Sequence, residues 1–116
     1  LAHTENIDFD ECMGTAITHY HDEEDDDSQG ARFELGRLLC TPGVTEVFKP
    51  EDIAGFIARH RDGDWGDLDE EDKQSNEDAL RLGNRLLSAY VVEDDKVYVI
   101  TEADRSVTTA LLPEEY

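Results

Sequence analysis

The residues able to do chemistry in this chain fall into three small groups. His19-Tyr20-His21-Asp22 sets two imidazoles two positions apart, just ahead of the acidic run Glu23-Glu24-Asp25-Asp26-Asp27. In a strand, side chains two apart share a face, so His19, His21 and a following carboxylate would offer a mixed nitrogen and oxygen shell to a metal. No third ligand stands at a known spacing, and two exposed histidines beside an acidic loop account for the same pattern. No metal and no other cofactor is therefore expected. The second group is Asp62, Asp64, Asp67 and Asp69. It fails as a calcium loop: counted from Asp62, an Asp stands where the turn Gly belongs and Lys73 where the bidentate Glu belongs. The third is Trp65, lone in a Gly-rich turn, where such a residue either plugs the core or anchors a partner. The plug is the favoured of the two.

Catalytic signatures are missing. The chain has no GxSxG elbow, GxxxxGK[ST] loop, GxGxxG turn or HExxH helix. Thirty acids make close carboxylate pairs inevitable, so a pair alone does not mark an acid/base site. The expectation is a protein that is not an enzyme. A hydrolase built on His19, His21 and nearby acids is the weakest alternative. Cys12 and Cys40 are too few for a disulfide framework and form no CxxC pair, so both read as ordinary thiols.

Charge is the strongest signal. Thirty acids against ten bases give a net −20 in 116 residues, and the acids cluster. Residues 1–30 hold ten acids and no base, and residues 62–78 hold nine acids and one base. Between them, residues 31–61 are nearly neutral. Such a surface repels nucleic acid and anionic membranes and attracts basic proteins. No direct nucleic-acid binding and no membrane binding are expected, and a protein partner is. No apolar run of about 18 residues is present to span a bilayer. Residues 1–10 show neither a basic nor an apolar signal region, so cytoplasm is the expected location. A leader already removed stays open, since the chain starts at Leu1.

The elements that must position these residues follow from periodicity and caps. The length fits a single domain over residues 1–116, with residues 1–30 an acidic segment of undecided structure. Within it, Thr15 to Tyr20 fits a helix or a strand equally. Phe33, Leu35 and Leu38-Leu39-Cys40 predict a strand of about eight residues over 32–40. Thr41-Pro42 reads as an N-cap and first helical residue, with Val44, Val47 and Phe48 as the apolar stripe. Pro50 opens a second helix whose inner face is Ile53, Phe56, Ile57 and His60, stopped by Asp62-Gly63. Asp69 caps a third, from about 70 to 83, with Asp72 at its third position and Ala79, Leu80, Leu82 and Leu86 as its inner face. Leu87–Val92, Lys96–Glu102 and Ser106–Leu112 are β-rich segments separated by short turns, which can only pair as an antiparallel meander. The expected fold is α+β: that meander, plus the strand near 32–40, covered by about three helices.

Gly63-Asp64-Trp65-Gly66-Asp67, Arg85-Leu86-Leu87-Ser88-Ala89-Tyr90, Val99-Ile100-Thr101-Glu102-Ala103-Asp104-Arg105-Ser106 and the closing Leu111-Leu112-Pro113-Glu114-Glu115-Tyr116 resemble a family of small bacterial proteins. That family is carried on plasmids and other mobile elements and described as plasmid-related or as subunit M of type I restriction endonucleases. The likeness covers roughly residues 32–116. It implies a mobile-element setting and no assigned activity, so no functional residues carry over. With this length and no cofactor-binding glycine loop, a methyltransferase subunit is not expected.

One reading of all this is an acidic interaction protein whose carboxylates imitate DNA phosphates toward a basic, nucleic-acid-binding enzyme. The alternative is a partner-binding domain with a salt-adapted surface, which three lysines against seven arginines and sixteen aspartates would fit. Clustering of the acids argues against that alternative. The apolar stripe of the third helix ends before it reaches most of the second acidic block. Asp62, Asp64, Trp65, Asp67, Asp69, Glu70, Glu71, Asp72, Glu77 and Asp78 are therefore the expected partner surface.

Overall fold

A computed structural model describes residues 7–8 and 32–116. His19, His21, Cys12 and the first acidic block lie outside the described residues. In chain order the elements are β1 (Ile7–Asp8), β2 (Arg37–Cys40), α1 (Pro42–Val47), α2 (Pro50–Arg61), α3 (Glu70–Leu82), β3 (Leu86–Val92), β4 (Asp95–Thr101), β5 (Val107–Leu111) and a final 3-10 turn, Pro113–Glu115. The strands form one mixed sheet in the order β1-β2-β5-β4-β3. The fold is α+β. β3, β4 and β5 make the expected antiparallel meander, with Ser88 opposite Val99 and Val99 opposite Ala110.

The sheet is more than a meander, however. β2 lies parallel to β5, with Leu38 opposite Thr108 and Cys40 opposite Ala110. The expected eight-residue strand is also only four residues long. Gly36 ends it, at φ +67, where a Cβ would stand 2.3 Å from the carbonyl oxygen of Ser106. Only glycine tolerates both conditions, so Phe33 and Leu35 precede the strand; Leu35 still packs against the main core, while Phe33 joins Trp65, Ala79 and Leu86.

Both proline-led helices form, with Val44 and Phe48 buried as read, but Val47 faces outward at 41% exposure. Thr41 Oγ1 accepts the Val44 N–H, and its hydroxyl donates to Glu115. The same carboxylate accepts the N–H groups of Gly43 at 3.1 Å and Leu112 at 3.0 Å. The 3-10 turn thereby staples the chain's last residues to the start of α1. In α2, Ile53, Phe56 and Ile57 pack with Val44 and Phe48 against Cys40, Tyr90, Val97, Val99 and Ala110. Register places those strand residues on one face of the sheet. Asp69 caps α3 by accepting the Asp72 N–H at 2.8 Å, and Gly83 closes the helix in the left-handed conformation.

The inner face of α3 differs from expectation at two residues, Leu82 and Leu86, the latter being the first residue of β3. Asn76 and Ala79 are buried, whereas Leu82 is 65% exposed. A stripe through 76, 79, 80 and 83 leaves position 82 on the outside. Asn76, a polar residue, escaped a reading based on apolar periodicity.

Candidate partner surface

Trp65 is a core plug. It is 4% exposed, stacks on Phe33 at 6.2 Å and meets the His60 ring edge-on at 5.8 Å. Its indole N–H donates to Glu77 Oε2 at 2.9 Å, and Arg32 grips the same carboxylate with two bonds of 3.0 and 2.9 Å. Trp65 therefore leaves the partner surface, and Glu77 turns out to be a structural acid. Arg32, then Trp65, holds its carboxyl below the usual range.

The second acidic block divides along these lines. Asp64 accepts from Arg59 at 2.8 Å, which holds its pKa down, and also from the Gly66 N–H. Asp62 meets Arg61 at 3.3 Å. Asp78 is lowered by Arg81 and then Gln74. Asp67, Asp69, Glu70, Glu71 and Asp72 are all exposed, and among the described residues none has a cationic partner. The last three sit in the first turn of α3, where the helix dipole favours negative charge. Asp69 caps the helix and stays exposed. A patch of five carboxylates within six residues remains, facing solvent.

Beside it runs the edge of β3. The backbone groups of Leu87, Ala89 and, by alternation, Val91 point away from β4. Two of the three positions are occupied. Asn76 mimics a neighbouring strand at Leu87: its Nδ2 donates to the carbonyl at 2.7 Å and its Oδ1 accepts the N–H at 3.1 Å. Ala89 donates to the Trp65 carbonyl at 3.2 Å and accepts the Asp67 N–H at 2.6 Å. Gly66 makes this close approach possible, since a Cβ there would lie 2.0 Å from the Ala89 oxygen. The loop that bears the acids is thus pinned to the sheet. Among the described residues none pairs with the edge at Val91, which lies next to a cleft of about 440 Å³ lined by Arg59, Gly66, Asp67, Tyr90 and Val91.

The one histidine among the described residues is internal. His60 Nδ1 lies 2.5 Å from Ser88 Oγ and its Nε2 lies 2.9 Å from Thr101 Oγ1. Thr101 meets Thr108 at 2.7 Å, and Thr108 donates to the Leu35 carbonyl at 2.7 Å. Each hydroxyl has one proton, so the last bond fixes every earlier one. Thr101 must donate to Thr108, His60 Nε2–H to Thr101, and Ser88 O–H to Nδ1. Burial, then the charge of Arg105, drives the His60 pKa down to about 3. Ser88, His60 and Thr101 are wholly buried. A serine without access to a substrate is a packing device, not a nucleophile.

Asp104 and Arg105 fix the last turn, as their types suggest. Asp104 accepts from the Ser106 N–H and hydroxyl, which lowers its pKa. Arg105 donates to the carbonyls of Asn84 at 2.7 Å and Ala79 at 3.2 Å, closing the end of α3. Among the described residues, no cluster of three metal-ligating side chains exists and no helix is long and apolar enough to cross a membrane. The chain matches no protein-family model, no curated protein and no solved structure.

Proposed function

We propose that this chain is a non-enzymatic interaction protein of a mobile element whose acidic surface engages a basic, nucleic-acid-binding protein in the manner of a DNA mimic. The observation that supports it is the patch Asp67, Asp69, Glu70, Glu71 and Asp72, exposed and without cationic partners among the described residues. It sits on a loop tied to the sheet at Ala89 and a helix start fixed by its cap. Charges on a fixed frame can stand in for phosphates because they need no ordering on binding. The mobile-element setting comes from the sequence resemblance, and an inhibitor of a DNA-handling enzyme is useful there.

The test is the triple substitution Glu70→Gln, Glu71→Gln and Asp72→Asn. Each removes a charge while keeping shape, and the helix loses at most about 1 kcal/mol per residue of dipole stabilisation. Binding to the partner should weaken and its salt dependence should flatten, with the fold intact by circular dichroism. Unchanged affinity would remove the patch from the interface.

A further inference from the structure

Among the described residues, the edge of β3 is guarded at two positions and left bare at the third. Leu86–Val92 reads Leu-Leu-Ser-Ala-Tyr-Val-Val, with no charge, proline or glycine. Edge strands usually carry such residues to discourage pairing with other chains. Here the protection is supplied from outside, by Asn76 at Leu87 and by the Trp65–Asp67 loop at Ala89. Neither reaches Val91. Val91 and Val92 are 49% and 43% exposed, two apolar side chains on a chain that is 34% charged. The cleft beside Val91 continues the line of the pinned loop, whose last residues here, Gly66 and Asp67, form its wall.

We infer that the open end of β3 at Val91 is a docking site for an extended, basic segment of a protein partner, which adds to the sheet where the guarding loop leaves off. This rests on the reading of the acidic patch above and names how the partner is held. The added strand would donate to the Val91 carbonyl and accept its N–H, as in other cases of strand addition. Basic side chains on that segment would meet Asp67 and the acids that follow it. Arg59 also lines the cleft, but its charge is already met by Asp64 at 2.8 Å and its guanidinium lies over Tyr90, 4.5 Å from the ring centroid. A second copy of this chain is the poorer occupant, because each copy carries −20 and like charges oppose the approach.

The experiment uses the full chain and a blocked hexapeptide of alternating lysine and valine, with the glutamate-valine peptide as control. Hydrogen exchange by NMR should show the Val91 amide exchanging freely in the unbound protein. Saturating lysine-valine peptide should slow it at least about tenfold, with no effect of the control. Val91→Pro removes the outward N–H without breaking a ladder bond, as proline is tolerated on a free edge. It should weaken peptide binding about tenfold, the scale expected from losing one to two backbone hydrogen bonds. The inference is overturned if the peptide fails to bind, if the Val91 amide stays unprotected at saturation, if Val91→Pro binds equally well, or if the protein instead pairs with itself at this edge. Should Val91→Pro have no effect on the recovered partner while the triple substitution at Glu70, Glu71 and Asp72 weakens it, the edge fails and the acidic reading stands.

Discussion

Acidification should destabilise the protein through the buried His60, and the effect can be sized. The folded state keeps this imidazole neutral down to about pH 3, whereas an unfolded histidine takes a proton near pH 6.5. Through that window the unfolded chain binds more protons, so stability falls as the pH drops. From pH 7 to pH 5 a single such group removes about 2 kcal/mol, and the loss continues toward the folded value. In a domain of this size that is roughly 8 °C in Tm. Carboxylates also titrate in the lower part of this range, so the comparison is with His60→Gln, which retains them all. The wild type should lose about 2 kcal/mol more than the variant between the two pH values, measured by urea denaturation. Ring ¹⁵N spectra should place the proton on Nε2, because the Thr101–Thr108–Leu35 chain leaves no other arrangement of donors. Equal pH dependence in the two proteins, or a His60 ring titrating near pH 6.5, would refute the reasoning.

Three further outcomes follow from the same geometry. Tm should rise by several degrees between about 0.01 M and about 0.5 M salt, as the screening length falls from roughly 30 Å to below 8 Å and the unpaired acids cease to repel; a flat profile would mean that the acids are individually paired. Gly66→Ala should cost more than about 1 kcal/mol in urea denaturation, because the residue combines φ +82 with a Cβ position 2.0 Å from the Ala89 oxygen. Asn76→Ala should destabilise by about 1 to 3 kcal/mol and raise the exchange rate of the Leu87 amide, whose acceptor it removes.

Where local chemistry decides the structure, the sequence was readable. Thr41-Pro42, Pro50, Asp62-Gly63 and Asp69 mark helix ends through caps and fixed φ, and each does so in the structure. The meander was legible because connections as short as these, two and five residues in the structure, allow only antiparallel pairing. What stayed hidden depends on long-range approach. The parallel pairing of β2 with β5 joins positions 70 residues apart, and no local pattern encodes it. Gly36 cut the strand short because of where Ser106 lies. The acidic block divided for the same reason. Arg32 is 45 residues from Glu77, so composition alone could not separate the structural Glu77 from the solvent-facing Glu70 and Glu71. Asn76 does carry a local signal, a short amide where an inner-face helix position calls for an apolar residue.

In the proposed function the acidic face occupies a site built for nucleic acid. The most direct measurement of this is competition: the partner captured from host lysate is held at fixed concentration with this protein while duplex DNA is titrated in, at low and at moderate salt. The account predicts that DNA displaces the protein, that a nucleic-acid-binding partner is the one recovered, and that affinity falls steeply with salt. A partner that does not bind nucleic acid, or a complex that DNA leaves intact, would contradict it.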